Sequence, residues 1–138
     1  MTRDREYPAA PLPGVLCAIV CDAKILLIQR ANEPDKDKWG LPGGLVEPHE
    51  TLVQAAIREL FEETSLISSG GDVIDQFEIR VQDGRFHYLL SVIRLDFVSG
   101  TAHAGSDALD VGWFSMNEIG ALSCSQHLPR IAELVLSA

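Results

Sequence analysis

The chain is expected to fold as a single α/β domain, a mixed β-sheet sandwiched between helices, and three observations predict it. β-rich apolar runs lie on both sides of one amphipathic helical segment, a second amphipathic segment closes the chain, and glycine- or aspartate-containing turns separate the runs at hairpin spacing. At 138 residues with no internal repeat, the chain is long enough to bury one core without staples and too short to suggest two.

The elements follow in order. Residues 1–13, with Pro8, Pro11 and Pro13, read as an extended N-terminal segment ahead of a domain spanning 14–138. Val15 to Val20 and Lys24 to Arg30 are strand-like and joined at Cys21-Asp22-Ala23, a hairpin-like connection that pairs them antiparallel. Ala31 to Gly40 is charged, carries Pro34 and reads as an exposed loop. Leu41-Pro42-Gly43-Gly44 is a tight approach to a helix, since proline lacks a donor and paired glycines accept backbone angles that other residues avoid.

Thr51 followed by Gln54 fits a capping box, which places the helix start at Thr51 and its end near Ser65. On about 100° per residue, Val53, Ala56, Ile57, Leu60 and Thr64 form one mostly apolar stripe, and Glu59, Glu62 and Glu63 share another sector. Val73 to Val81 and Phe86 to Val98 flank Gln82-Asp83-Gly84-Arg85, a hairpin signal. Ser99 to Asp107 is a small, polar loop, Leu109 to Phe114 a short strand, and Ser115 caps a turn through Glu118. Leu128, Ile131, Leu134 and Val135 recur at helical spacing in the closing helix.

Composition narrows function. The net charge of −9 leaves no basic face for a nucleic-acid backbone, so no nucleic-acid partner is expected. Three cysteines without a CxxC pair make neither a disulfide framework nor a zinc knuckle, which fits a reducing, cytoplasmic setting. No apolar segment is long enough for a signal peptide or membrane span, so no membrane partner is expected. Like charges three and four residues apart on a helix cost a few tenths of a kcal/mol per pair, so the acidic sector calls for a cation. Taken alone, such a cluster is more often a solvated helix face.

Gly44, Glu50, Arg58, Glu59, Leu60, Glu62, Glu63 and Leu66 change that balance. They fall at the spacing G-x5-E-x7-R-E-U-x-E-E-x-G-U, with U a bulky apolar residue, and the chain thereby resembles the Nudix hydrolase family. Two positions depart from the pattern: Ser65 stands where the family has glycine, and His49 where many members do. The resemblance implies a Nudix-type α/β/α sandwich that hydrolyses a diphosphate linkage with Mg²⁺, Mn²⁺ being a possible substitute. Mg²⁺ suits such a site because it takes oxygen ligands, keeps waters and completes its shell with substrate phosphate.

By the same resemblance Glu59 and Glu63 are metal ligands, Glu62 is a further ligand or positions water, and the Gly43 carbonyl adds an oxygen. Glu50 and Arg58 pair to hold the loop against the helix, with Gly44 supporting the site. An acidic residue before the Trp113-Phe114 pair acts on the attacking water; Asp110 aligns best and Asp107 is the alternative. Arg30 resembles a phosphate-contacting position, although strand-end arginines are as often merely solvated. His87 and His103 lack metal-ligand spacing. Trp39, Phe86, Tyr88 and Trp113 could stack on a base but read equally as core.

The LPGG-L-V-E-P opening and the AGSDALDVGWF segment most resemble the ADP-ribose pyrophosphatase-like branch of the family, which implies a small nucleoside diphosphate joined to another group, ADP-ribose or a related nucleotide sugar, as substrate. The alternatives are a nucleoside triphosphate pyrophosphohydrolase that clears damaged nucleotides and a Nudix module that binds nucleotides without cleaving them. A homodimer is a state that relatives often adopt.

Overall fold

The computed structural model describes residues 5–137. Its strands are β1 (Leu12–Cys21), β2 (Lys24–Arg30), β3 (Trp39–Gly40), β4 (Gly43–Leu45), β5 (Ile67–Val81), β6 (Phe86–Ser99) and β7 (Ala108–Phe114). Its helices are α1 (Leu52–Thr64), α2 (Met116–Ile119) and α3 (Leu128–Leu136). The strands form one mixed sheet in the order β3-β2-β1-β6-β5, with β4 paired to β1 and β7 to β2. β1 and β6 run parallel while the other pairs are antiparallel.

Alternation along the central strands builds a core on each face. Val15, Cys17 and Ile19 of β1 pack with Leu26, Ile93 and Leu95 beneath Ala55, Ala56 and Leu60 of α1. The opposite face sends Ala18, Ile25, Leu27 and Val92 to Leu128, Ile131, Ala132 and Val135 of α3. A strand buried on both faces has no polar alternation to show, which is why the runs over β1 and β2 are nearly continuously apolar. The architecture is the α/β/α sandwich with a mixed sheet that the sequence predicts.

Local chemistry sets the joints. Asp22 and Ala23 both adopt positive φ between the paired Cys21 and Lys24, the backbone of a two-residue hairpin turn. At α1, the Thr51 side chain accepts from Gln54 N at 3.1 Å and Gln54 Oε1 accepts from Thr51 N at 2.9 Å, so the capping box is complete. Ser115 and Glu118 repeat it at α2. Glu118 is thereby occupied as a cap and as the partner of Lys24.

Three boundaries and one burial assignment differ from expectation. β1 begins at Leu12, because Leu12 and Pro13 already pair with Tyr88 and Leu89 of β6. β5 begins at Ile67 instead of Val73: Gly70 and Gly71 form an irregularity at φ +66° and +139° inside a continuing strand. The loop before Gly40 ends in the short strand β3, fixed by Trp39 and Gly40 against Gln29 and Ile28. Leu134 faces solvent while its helical neighbours Leu128, Ile131 and Val135 are buried.

Candidate active site

α1 sets three carboxylates at different depths. The Glu59 side chain is 13 % exposed and Glu62 56 %, while Glu63 lies at the base of a cleft with 9 % of its surface accessible. Glu63 Oε2 accepts the Gly43 N–H at 3.2 Å, which ties the end of α1 to β4. The paired glycines are required by contact. A Cβ on Gly43 would come within 2.0 Å of the Val15 carbonyl oxygen, and one on Gly44 within 2.4 Å of the Glu59 carboxylate.

Arg58 organises the loop before the helix. Its Nε and Nη2 donate to the two oxygens of Glu50 at 2.5 and 2.8 Å, and Nη2 also reaches the Leu45 carbonyl at 3.1 Å. Glu50 in turn accepts the Glu47 N–H at 2.9 Å, so a bidentate pair clamps residues 45–50 against α1. Arg58 holds the Glu50 carboxyl below its ordinary range, and the guanidinium is correspondingly harder to deprotonate. Nη1 extends to Glu59 at 2.8 Å and Glu62 at 3.3 Å, which places the one cation against three carboxylates.

Among the described residues Glu63 has no such ion-pair partner. Burial, with the Glu59 charge beside it, pushes its carboxyl up to about 8, against the Gly43 N–H and Arg30, which favour the charged form. Burial likewise raises Glu59, with Arg58 opposing. Glu59 therefore keeps a cation at 2.8 Å, whereas the charged form of Glu63 is disfavoured by burial and by its acidic neighbours.

Asp107 arrives from a loop that closes over the end of α1. The N–H groups of His103 and Gly105 donate to the Thr64 and Glu63 carbonyls at 2.9 and 2.8 Å, satisfying helix-terminal acceptors. A Cβ on Gly105 would meet the Glu63 carbonyl oxygen at 2.9 Å, so only glycine lets the loop dock. Asp107 lines the cleft and its charge further disfavours ionisation of Glu63. Asp110 sits elsewhere: it pairs with Gln29 on β7, is exposed, and its Oδ1 accepts the N–H of its neighbour Val111. The family resemblance favours Asp110 with Asp107 as the alternative; of the two, Asp107 lines the cavity with Glu63.

The cleft is the mouth of a cavity of about 690 Å³, the size of an ordinary small-molecule site. Arg30, Asn32, Lys38, Gly43, Gly44, Glu63 and Asp107 line one part, and Phe77, Ile79, Phe86, Tyr88, Leu90 and Ile131 another. The Arg30 Nε donates to the Pro34 carbonyl at 2.6 Å, so the side chain is tethered at the rim. Of the aromatics weighed from sequence, Phe86 and Tyr88 face this space, whereas Trp39 and Trp113 pack edge-on or tilted against Phe114 and Phe97. Phe77 was not singled out, since only its pairing with Leu90 and contact with α3 bring it there.

Among the described residues no three acidic, histidine or cysteine side chains converge to chelate an ion by themselves. The donor set nonetheless suits a hard divalent cation. Mg²⁺ is commonly held by one or two carboxylates plus waters and phosphate instead of a protein cage, and Glu59 with Glu63, four residues apart on α1 and close enough for the Glu59 charge to act on Glu63, offers such a pair.

The comparisons agree with this geometry. The NUDIX domain family model matches residues 10–135. An ADP-ribose pyrophosphatase of Methanocaldococcus jannaschii is 38 % identical over 117 residues, covering 85 % of this chain and 68 % of its own. Among solved structures, a MutT NUDIX hydrolase from Burkholderia pseudomallei superposes with a TM-score of 0.76 at 27 % identity, covering 92 % of this chain and 96 % of that one. A bifunctional NMN adenylyltransferase/ADP ribose pyrophosphatase from Francisella tularensis, complexed with AMP and a manganese ion, gives 0.75 at 29 % identity, with 92 % of this chain and 41 % of that one covered. Family model, relatives and fold agree: the chain belongs to the NUDIX domain family and is a Nudix hydrolase.

Proposed function

We propose that the enzyme hydrolyses the diphosphate linkage of a nucleoside diphosphate joined to another group, ADP-ribose or a related nucleotide sugar, with Mg²⁺ as cofactor. The observation that carries the reading is one cavity in which the buried Glu63 carboxylate, with no cation partner among the described residues, opens onto an apolar, aromatic-lined space. The first part suits a diphosphate and the second a nucleoside. The 38 % identical relative named as an ADP-ribose pyrophosphatase points the same way.

In this reading Glu59 and Glu63 hold the metal, with Glu62 on the solvent side as a further ligand or through a water, and the Gly43 carbonyl as an added oxygen donor. When bound, the cation neutralises charge on the diphosphate and acidifies a water for in-line attack at phosphorus. Arg30 meets the phosphate at the cavity rim. Asp107 orients the attacking water and accepts its proton, a role supported by its lining the cavity with Glu63, whereas Asp110, exposed like Asp107, is not among the residues that line it. Glu50 and Arg58 touch no substrate; they fix Leu45 and Glu47, and through them the turn that carries Gly43 and Gly44.

A panel of ADP-ribose, dinucleoside polyphosphates, sugar nucleotides and modified nucleoside triphosphates, each with Mg²⁺, tests the proposal. Turnover of ADP-ribose or a sugar nucleotide with release of a nucleoside monophosphate is expected. Exclusive turnover of triphosphates would move the assignment to nucleotide-pool clearance, and tight binding without turnover to a non-catalytic module.

A further inference from the structure

The apolar part of the cavity has a built wall. Leu45, Gly14, Leu90 and Phe77 lie in one register row across β4, β1, β6 and β5, and three strand spacings set Phe77 about 14 Å from Leu45. Gly14 lets the Leu90 side chain and the Gly44 carbonyl pack close over that row, since a Cβ there would meet Leu90 Cδ2 at 2.9 Å and the Gly44 carbonyl at 3.3 Å. Gly14, Gly44, Glu63, Leu90 and Phe77 line the same cavity, which joins the end of α1 to Phe77.

Phe77 is held by more than burial. The His127 ring lies against it with centroids 4.1 Å apart and planes 31° from parallel. The Arg130 guanidinium stands 5.6 Å from the Phe77 centroid, pairs with Asp75, and has Nη2 3.5 Å from His127 Nδ1. Asp75 is two residues from Phe77 on β5, while His127 and Arg130 belong to the start of α3. Phe77 and His127 line the cavity; Asp75 and Arg130 do not. The ion pair joins strand to helix behind the two rings, and Arg130 holds the Asp75 carboxyl below its ordinary range.

We infer that Phe77 and His127 form the wall against which the nucleobase of the substrate packs, and that Asp75 and Arg130 are positioning residues that fix this wall. The inference rests on the proposed nucleoside diphosphate chemistry and names which end of the substrate lies over β5 and β6. Planar apolar contact supplies the recognition. A ligand with the same sugar phosphate and no base therefore loses most of its affinity.

Isothermal titration of AMP and of ribose 5-phosphate into the full chain tests this without turnover, so its outcome is separable from that of the hydrolase assay. AMP is expected to bind at least tenfold more tightly than ribose 5-phosphate, the scale of one stacked base. Phe77→Ala should weaken AMP about tenfold and leave ribose 5-phosphate unchanged. Phe77→Leu, which keeps apolar volume and secures the test if the alanine variant is poorly folded, should weaken AMP to an intermediate degree.

With ADP-ribose as substrate, Asp75→Asn and Arg130→Met should raise KM about threefold at constant kcat, and Arg130→Lys should recover part of the loss. Equal affinities for the two ligands, or unchanged AMP binding in both Phe77 variants, would overturn the wall. A fall in kcat at constant KM in the Asp75 and Arg130 variants would overturn their positioning role.

Discussion

Glu63→Gln should make the metal-free protein more stable at neutral pH while removing its activity. The Glu63 carboxyl has an ordinary value of 4.5 and is lifted to about 8 by burial and by Glu59. At about 1.4 kcal/mol per tenfold change in acidity, holding the charge there costs up to about 5 kcal/mol; water entering an open cleft and side-chain rotation reduce this to about 1–3 kcal/mol. Glutamine keeps an oxygen to accept the Gly43 N–H and removes the charge. Because the folded-state value lies above the unfolded one, the native state binds more protons between pH 4.5 and 8. The stability contributed by protonated Glu63 is therefore full below 4.5 and is lost as pH rises through 8.

Thermal unfolding in chelator from pH 5 to 8.5 measures this. The wild type should lose stability across the window relative to Glu63→Gln, and Mg²⁺ should restore it in the wild type alone. Parallel curves for the two proteins, or equal stabilisation of both by Mg²⁺, would refute the account of Glu63 as a charge awaiting a cation.

Other outcomes follow from the same geometry. Arg58→Met leaves Glu50, Glu59 and Glu62 without their shared cation; since these groups are partly solvated, a loss of about 1–3 kcal/mol is expected by chemical denaturation. Gly44→Ala should cut activity by more than tenfold with little change in unfolding midpoint, because the added methyl displaces the Glu59 carboxylate. Asp107→Asn should lower kcat at least tenfold while Asp110→Asn changes it less than twofold, and the reverse order in steady-state assays would restore Asp110 as the water-positioning group. Ser65→Gly should raise stability by about 0.5–1 kcal/mol, read as an upward shift in Tm.

That last prediction illustrates what the sequence disclosed. Ser65 and His49, the two departures from the family pattern, adopt φ of +68° and +67°, so the glycines that the pattern calls for answer a left-handed backbone at both ends of the motif. Thr51, Gln54, Ser115 and Glu118 were equally legible, because a capping box is a local interaction whose partners lie three residues apart. Glu50 with Arg58 was legible through spacing on a known pattern.

What stayed hidden depends on long-range register. Asp107 reaches the cleft because Gly105 lets its loop dock on the Glu63 carbonyl and because β2 and β7 slip register between Gln29 and Arg30. Neither contact leaves a periodic trace. Phe77 joins the cavity only through its pairing with Leu90 and its contact with His127, some fifty residues on. The Gly70-Gly71 step concealed the first part of β5 because glycine reads the same in a turn and in a bulge.

The central claim is that the buried carboxylates of α1 bind a divalent cation to cleave a diphosphate. Its most direct test is turnover of ADP-ribose by the wild type and Glu63→Gln, with and without Mg²⁺, with products identified by mass spectrometry. AMP and ribose 5-phosphate should form only with the wild type and Mg²⁺. Equal turnover in chelator, or by Glu63→Gln, would contradict the claim.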